Sequence, residues 1–207
     1  MLIRVLMLAS LLGLAGVASA DSKGDFLLAV QLDDVGTVSK LLPSLGPNLT
    51  EPNRGETGLI LALREDAMRV FNVLLADPRV QLEQGADNTN TALMMAAFKR
   101  NRAAVEALLA KGAAVNRPGW NALHYAAVGG DPDIVIMLLA RKAAIDATAP
   151  ARMTALMLAA REGQEEAVAV LLKAGANPAL KNGEGFTAYD IAVKADKPHI
   201  VALLPKP

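Results

Sequence analysis

The stretch that decides the fold spans residues 154–177 and reads TALMLAAREGQEEAVAVLLKAGAN. After the opening Thr154, apolar residues recur at spacings of three and four, which place them on one face of a helix. The pattern resumes after a polar break and reaches Leu171, seventeen residues beyond the Thr. The stretch therefore predicts two short helices that are joined by a tight turn.

The same seventeen-residue interval occurs six times in the chain. A weaker first copy runs from Gly24 to Leu41, and five clear copies run from Thr57 to Leu74, Thr91 to Leu108, Asn121 to Leu138, Thr154 to Leu171 and Thr187 to Leu204. Ala stands five places after each start, and in three copies also six places after it, which allows close helix packing. Self-similarity with a period of about 33 residues predicts a stacked array of helix pairs.

These copies resemble the ankyrin repeat family, most clearly in residues 121–127 (NALHYAA), 134–139 (IVIMLL) and 154–177. The resemblance covers about residues 24–205 and implies an all-α ankyrin-repeat solenoid with β-turn fingers between helix pairs. The family's usual Pro after the Thr is replaced by Gly or Ala, and its usual His appears only as His124. The resemblance implies that His124 is structural and bonds the turn of a neighbouring repeat. Six helix–turn–helix repeats are expected at approximately 24–53, 54–87, 88–118, 119–150, 151–182 and 183–207.

The first twenty residues are predicted to be a cleaved secretory signal peptide. Arg4 supplies the positive start, residues 5–17 are apolar, and Ala18 and Ala20 form a small-residue cleavage signal. An uncleaved membrane anchor is the less favoured alternative, because the apolar segment is too short to span a bilayer. The chain has no cysteine, so it has neither disulfides nor a lipidated cysteine. We expect a repeat domain over 21–207 in the bacterial periplasm, with secretion as the alternative.

Charge and motif content exclude several classes of function. Loss of Arg4 leaves 20 basic and 21 acidic residues, without the basic face that nucleic acid needs. The two histidines are 75 residues apart, and no phosphate-binding loop or Ser/His/Asp grouping stands out. We expect no enzymatic activity, no cofactor and no metal, no nucleic acid, no membrane insertion after cleavage, and a monomer that binds a protein.

Candidate binding residues lie where the family presents its concave face and fingers. The residue before the Thr or Asn of successive copies becomes large and apolar in the last three copies, as Trp120, Met153 and Phe186. With repeats about 10 Å apart, these would form a stripe about 20 Å long. Two interpretations stay open: the stripe anchors a partner, or it seals the gaps between fingers. The exposed edge of the inner helices adds Arg64, Phe98, Val128 and Arg161.

The connector before the fourth copy is three residues shorter than most others and contains Pro118-Gly119, a turn dipeptide. A short finger between longer ones predicts a notch in the row. The function expected from the sequence is therefore a non-catalytic protein-interaction module of the periplasm. The alternative is an exported effector, inhibitor or immunity-type protein that acts on a host or competitor protein.

Overall fold

A computed structural model describes residues 22–206, and this part of the chain forms twelve short α-helices in six consecutive pairs. The predicted signal peptide, with Ala18 and Ala20, lies outside the described residues. The pairs are α1 (Ser22–Gln31) with α2 (Val35–Leu45), α3 (Gly58–Arg64) with α4 (Met68–Ala76), α5 (Ala92–Phe98) with α6 (Arg102–Ala110), α7 (Ala122–Gly129) with α8 (Pro132–Ala140), α9 (Ala155–Glu162) with α10 (Glu165–Lys173), and α11 (Ala188–Lys194) with α12 (Pro198–Val201).

Within residues 22–206 the chain has no extended strand, and a short 3-10 helix covers Pro150–Arg152. The all-α solenoid expected from the sequence is confirmed. In the described residues, no helix combines the length and the apolar character needed to cross a bilayer.

The first helix of most pairs begins at the Thr or Asn that marks the repeat. Thr154 Oγ1 accepts the Met157 backbone N–H at 3.3 Å, and Met157 Sδ accepts the Thr154 N–H at 3.5 Å. Such a cap contributes about 1 kcal/mol. The first copy lacks the Thr, and α1 begins earlier, at Ser22.

Four of the second helices end either at a residue in the left-handed conformation or before a proline. Gly112 and Gly175 follow α6 and α10 with φ of 96° and 92°, the left-handed conformation that glycine adopts without strain. The equivalent residue after α8 is Lys142, whose φ of 62° costs on the order of 1 kcal/mol. Helix α4 itself ends at Ala76, because Pro78 cannot continue it.

The core runs continuously along the array between the inner helices (α1, α3, α5, α7, α9 and α11) and the outer helices (the second of each pair). Consecutive inner helices pack side by side. The leucines that end the seventeen-residue interval are fully buried in the middle repeats, at Leu74, Leu108, Leu138 and Leu171. The paired alanines of the inner helices are also buried, which lets neighbouring repeats approach closely.

The connectors before the inner helices form fingers. Each finger takes the number of the repeat whose inner helix follows it, so residues 51–56, before α3, belong to finger two. Backbone hydrogen bonds close four of them: Glu51 N–H to Glu56 O at 2.9 Å, Ala86 to Asn90 at 2.9 Å, Ala149 to Met153 at 2.8 Å, and Asn182 to Phe186 at 2.9 Å. The fourth finger, residues 114–120, has no corresponding bond in the described structure. The short connector is thus the open one.

Hydrogen bonds also join the tips of neighbouring fingers. Asp87 N–H donates to Arg54 O at 3.0 Å between fingers two and three, and Arg117 Nη1 donates to Thr89 O at 3.2 Å between three and four. Gly183 N–H donates to Ala151 O at 2.7 Å between five and six. Within residues 22–206, finger four is joined to the connector after α8 through Asn116, whose side chain accepts the Ala144 N–H and donates to Lys142 O, both at 2.8 Å.

Candidate protein-binding surface

The inner helices and the bases of the fingers form the face on which the sequence placed its candidate residues. Trp120, Met153 and Phe186 each end a finger, directly before the residue that caps the next inner helix. All three are half-buried and pack against the hydrophobic core. Each side chain is buried in part, as sealing requires, and accessible in part, as a partner anchor requires, so both interpretations stay open.

Trp120 belongs to a cluster of three rings, which we call the aromatic triad: Phe98, Trp120 and Tyr125. The Trp120 and Tyr125 ring centroids lie 5.6 Å apart, and Phe98 meets Tyr125 edge to face at 6.2 Å. These geometries are favourable for aromatic pairs. Phe98 remains 47% exposed. Three of the seven aromatic residues of the chain thus meet across repeats three and four.

Tyr125 anchors this cluster and was missed from the sequence. Its hydroxyl donates to Asn90 Oδ1 at 2.6 Å, on the preceding finger. Burial raises the pKa of Tyr125, while the bond to Asn90 acts in the opposite direction, so the hydroxyl keeps its proton. One signal could have found it. Tyr125 is the only aromatic residue at the fourth place of an inner helix, where the other copies have Leu, Met or Ile.

Met153 and Phe186 line a second feature, the C-terminal cleft, which encloses about 280 Å3 between fingers five and six. Asn182 fixes the backbone of finger six beside the cleft, because its buried side chain accepts the Glu184 and Phe186 N–H groups at 3.0 and 2.9 Å. Lys194 Nζ lies 4.7 Å from the centre of the Phe186 ring. The full lining is Met153, Arg161, Asn182, Glu184, Phe186, Ile191, Lys194 and Ala195.

The structure therefore separates the predicted residues into groups. Phe98 and Trp120 join through Tyr125, while Met153, Phe186 and Arg161 surround the cleft. Val128 is half-buried, and its carbonyl accepts from Gln164 Nε2 at 2.9 Å.

Arg64 belongs to neither group, because it is bound by acids of its own repeat. Its Nε lies 2.7 Å from the buried Glu56 carboxylate, and its Nη1 lies 3.0 Å from Glu65. Arg161 has a 2.8 Å contact with Glu162, but both partners are partly exposed. Of these two arginines, Arg161 is the one that can change partners easily.

His124 has the structural role that the sequence predicted. Its side chain is buried; Nδ1 accepts the Asn121 N–H at 3.2 Å, and Nε2 donates to Ala147 O at 2.9 Å on the next finger. Burial lowers the pKa of His124, and the bond to Ala147 opposes this only in part. The imidazole is thus neutral, with both nitrogens engaged. Elsewhere in residues 22–206, no group of three or more acidic or His side chains could hold a metal ion.

Comparison with known proteins identifies the array. A family model described as ankyrin repeats matches residues 26–118, 59–150 and 123–206. Protein glp-1 of Caenorhabditis elegans is 30% identical over 201 residues, which cover 89% of this chain and 15% of that protein. SH3 and multiple ankyrin repeat domains protein 2 of Homo sapiens is 32% identical over 163 residues, covering 76% of this chain and 9% of the relative. The chain thus spans a small part of these relatives.

Proposed function

Because the chain belongs to the ankyrin repeat family, we propose that it is a non-catalytic protein-binding module of the bacterial periplasm. Ankyrin repeats are generally protein–protein interaction modules, and the family is typically non-catalytic. The partner would bind across the concave face and the fingers, with the aromatic triad at the centre of the contact.

The observation that carries this proposal is the aromatic triad. Binding energy at protein interfaces concentrates in a few central aromatic and Arg residues that are surrounded by a polar rim. Phe98 and Trp120 supply partly exposed aromatic area, and Tyr125 fixes both rings. Charged residues lie to either side, at Arg64 and Glu65 in repeat two and at Arg161 and Glu162 in repeat five. An apolar centre between charged flanks fits a protein surface.

Two features support a function without chemistry. The single buried histidine, His124, has both ring nitrogens committed to backbone groups. The carboxylate of Asp77, whose pKa is strongly lowered, has a structural role as well. Arg79 lies 2.7 Å from it, and the hydrogen bond from that guanidinium lowers the pKa of Asp77 to about 2. Such ion pairs perturb pKa values without implying catalysis.

The periplasmic location is supported by the sequence of residues 1–20, which has the three parts of a signal peptide. Fractionation of a bacterial host that expresses the full chain tests it. We expect the protein, shortened by cleavage after Ala20, in the periplasmic fraction. Recovery from the medium would favour the exported effector or inhibitor, and an uncleaved chain in the cytoplasm would contradict export.

Binding is tested with a photoreactive amino acid at one of two matched positions. Phe98 is 47% exposed on the concave side, and Ile136 is 50% exposed on outer helix α8. Illumination in periplasmic extract should give a discrete protein adduct from position 98 and none from position 136. Excess unlabelled wild type should abolish that adduct, and excess Phe98→Asp should not. Equal labelling from both positions would contradict the proposed surface.

A further inference from the structure

The C-terminal cleft has an apolar floor. Met153 and Phe186 supply its walls, and the nearly buried Ile191 lies beneath them. The Asn182 side-chain oxygen accepts two backbone N–H groups, and its amide nitrogen lies 3.7 Å from Met153 Sδ. None of the lining residues has a buried side-chain N or O atom that lacks a hydrogen-bond partner, so this space favours one large apolar side chain.

The rim of the cleft is cationic. Arg161 and Lys194 line it, and Glu184 is the only acid in the lining. Arg161 is paired with Glu162 at 2.8 Å and Lys194 with Glu184 at 3.6 Å, but the side chains of both cations are about half exposed or more. Ion pairs of this kind contribute little to stability. Both cations can therefore exchange an internal carboxylate for an external one without loss of folding.

Finger five carries a further cation, Arg152, which is adjacent to Met153 in sequence but does not line the cleft. Arg152, directly before Met153, is exposed, and within residues 22–206 no acid lies at ion-pair distance from it. Ala151 and Arg152 both have φ of 57°, a left-handed conformation that is uncommon for residues other than glycine. The bonds from Gly183 N–H to Ala151 O and from Ala149 N–H to Met153 O hold this turn in place. Strain of this kind persists only where surrounding contacts maintain it.

The geometry points to the chemistry of the partner: a polypeptide segment that inserts one large apolar side chain into the C-terminal cleft and places a neighbouring Asp or Glu against Arg161 and Lys194. This inference rests on the proposed function, because the cleft belongs to the same concave face. Arg binds carboxylates through paired, charge-assisted hydrogen bonds. A basic segment would meet Arg161 and Lys194 at the rim and would be rejected.

A random peptide library displayed on phage tests this inference on the purified chain without its signal peptide. The enriched peptides should carry a large apolar residue within a few positions of Asp or Glu. A fluorescent synthetic copy of an enriched peptide should bind the double variant Arg161→Gln/Lys194→Gln with a Kd raised about tenfold or more, since charged hydrogen bonds are lost. Raised salt should weaken its binding to the wild type.

The matched control is Arg69→Gln/Lys173→Gln, which removes the same two kinds of cation from outer helices α4 and α10. It should bind the peptide as the wild type does, and both double variants should unfold at the wild-type temperature. Met153→Ser should weaken binding independently of salt. Enrichment of basic or uncharged peptides, no enrichment, or equal affinity of the two double variants would overturn the inference.

The result is separable from the proposed function. Crosslinking through position 98 reports the aromatic triad in repeats three and four, whereas the peptide reports the cleft in repeats five and six. If position 98 gives an adduct but the peptide binds Arg161→Gln/Lys194→Gln with the same Kd as the wild type, only the cleft inference is wrong. Loss of the adduct removes the proposed function.

Discussion

His124→Met isolates one bond between repeats four and five. Met occupies the same place in repeats three and five, where Met94 and Met157 are buried, and Met157 Sδ accepts the N–H of its own capping residue. The variant therefore keeps a side chain that this position tolerates and an acceptor for the Asn121 N–H. What it loses is the 2.9 Å hydrogen bond from His124 Nε2 to Ala147 O.

The cost follows from the environment of that carbonyl. An unsatisfied polar group that is removed from water costs about 1–3 kcal/mol, and Ala147 is half-buried, so we expect about 1–2 kcal/mol. For a chain of this length, 1 kcal/mol shifts Tm by about 2–4 °C. His124→Met should therefore lower Tm by about 2–8 °C near neutral pH.

The same substitution should change the pH dependence of stability. Burial lowers the pKa of His124 in the folded state, while the unfolded chain binds this proton with a pKa of about 6.5. The stability contributed by neutral His124 is fully present above about pH 6.5, and it decreases as the pH falls toward the folded-state pKa. Between about pH 7.5 and 5.5 the loss is at most about 1.4 kcal/mol, the free energy of one proton over one pH unit.

Urea unfolding followed by circular dichroism at both pH values checks this expectation. The deficit of His124→Met relative to wild type should be largest at about pH 7.5 and should shrink or vanish at about pH 5.5, because only the wild type pays the proton-linked cost. His199 is present in both proteins, so it does not contribute to the difference between them. An equal deficit at both pH values would refute the buried neutral imidazole.

Three further substitutions, one of them paired with a control substitution, test the array. Leu108→Ala, at a fully buried position, should cost about 2–5 kcal/mol and lower the midpoint of one cooperative transition; an unchanged midpoint would contradict the repeat register. Lys142→Gly should raise the free energy of unfolding by about 1 kcal/mol, because its φ of 62° suits glycine. The control Lys173→Gly lies within α10 and should lower the free energy of unfolding by a similar amount. If Lys142→Gly were the less stable of the two variants, the left-handed conformation at the end of α8 would be contradicted. Asp131→Ala should cost about 2 kcal/mol in thermal denaturation, since Asp131 caps α8 and lies 2.8 Å from Arg102 of the preceding repeat; a cost near zero would show that neither contact matters.

The array itself could be predicted because its signals are local and repeated. The capping Thr or Asn, the apolar spacing and the leucine at place seventeen lie within one helix pair, and each copy supports the others. Even the irregular Lys142 followed from its alignment with Gly112 and Gly175, and its positive φ was found. The first copy carried the weakest signal, because it lacks the Thr or Asn that marks the start of the other copies.

The site was harder to predict because its contacts join different repeats. The family pattern placed Trp120 on a finger and pointing toward the concave side, but the rotation between repeats decides which rings it meets, and Tyr125 was therefore missed. Contacts within one repeat were missed as well: Arg64 was expected at an open edge, yet Glu56 from the finger of its own repeat binds it at 2.7 Å. Sequence spacing alone does not show that these two side chains face each other. The consecutive left-handed residues Ala151 and Arg152 carry no glycine or asparagine signal at all.

Trp120 is the only tryptophan of the chain, and its ring centroid lies 5.8 Å from that of His124. Intrinsic fluorescence at this one indole consequently reports the fourth helix pair alone, whereas far-ultraviolet dichroism averages over all six. Coincident melting curves from the two signals would mark all-or-none behaviour, and diverging curves would reveal that the solenoid comes apart in segments. The protein thus contains a natural optical probe at the middle of its own length.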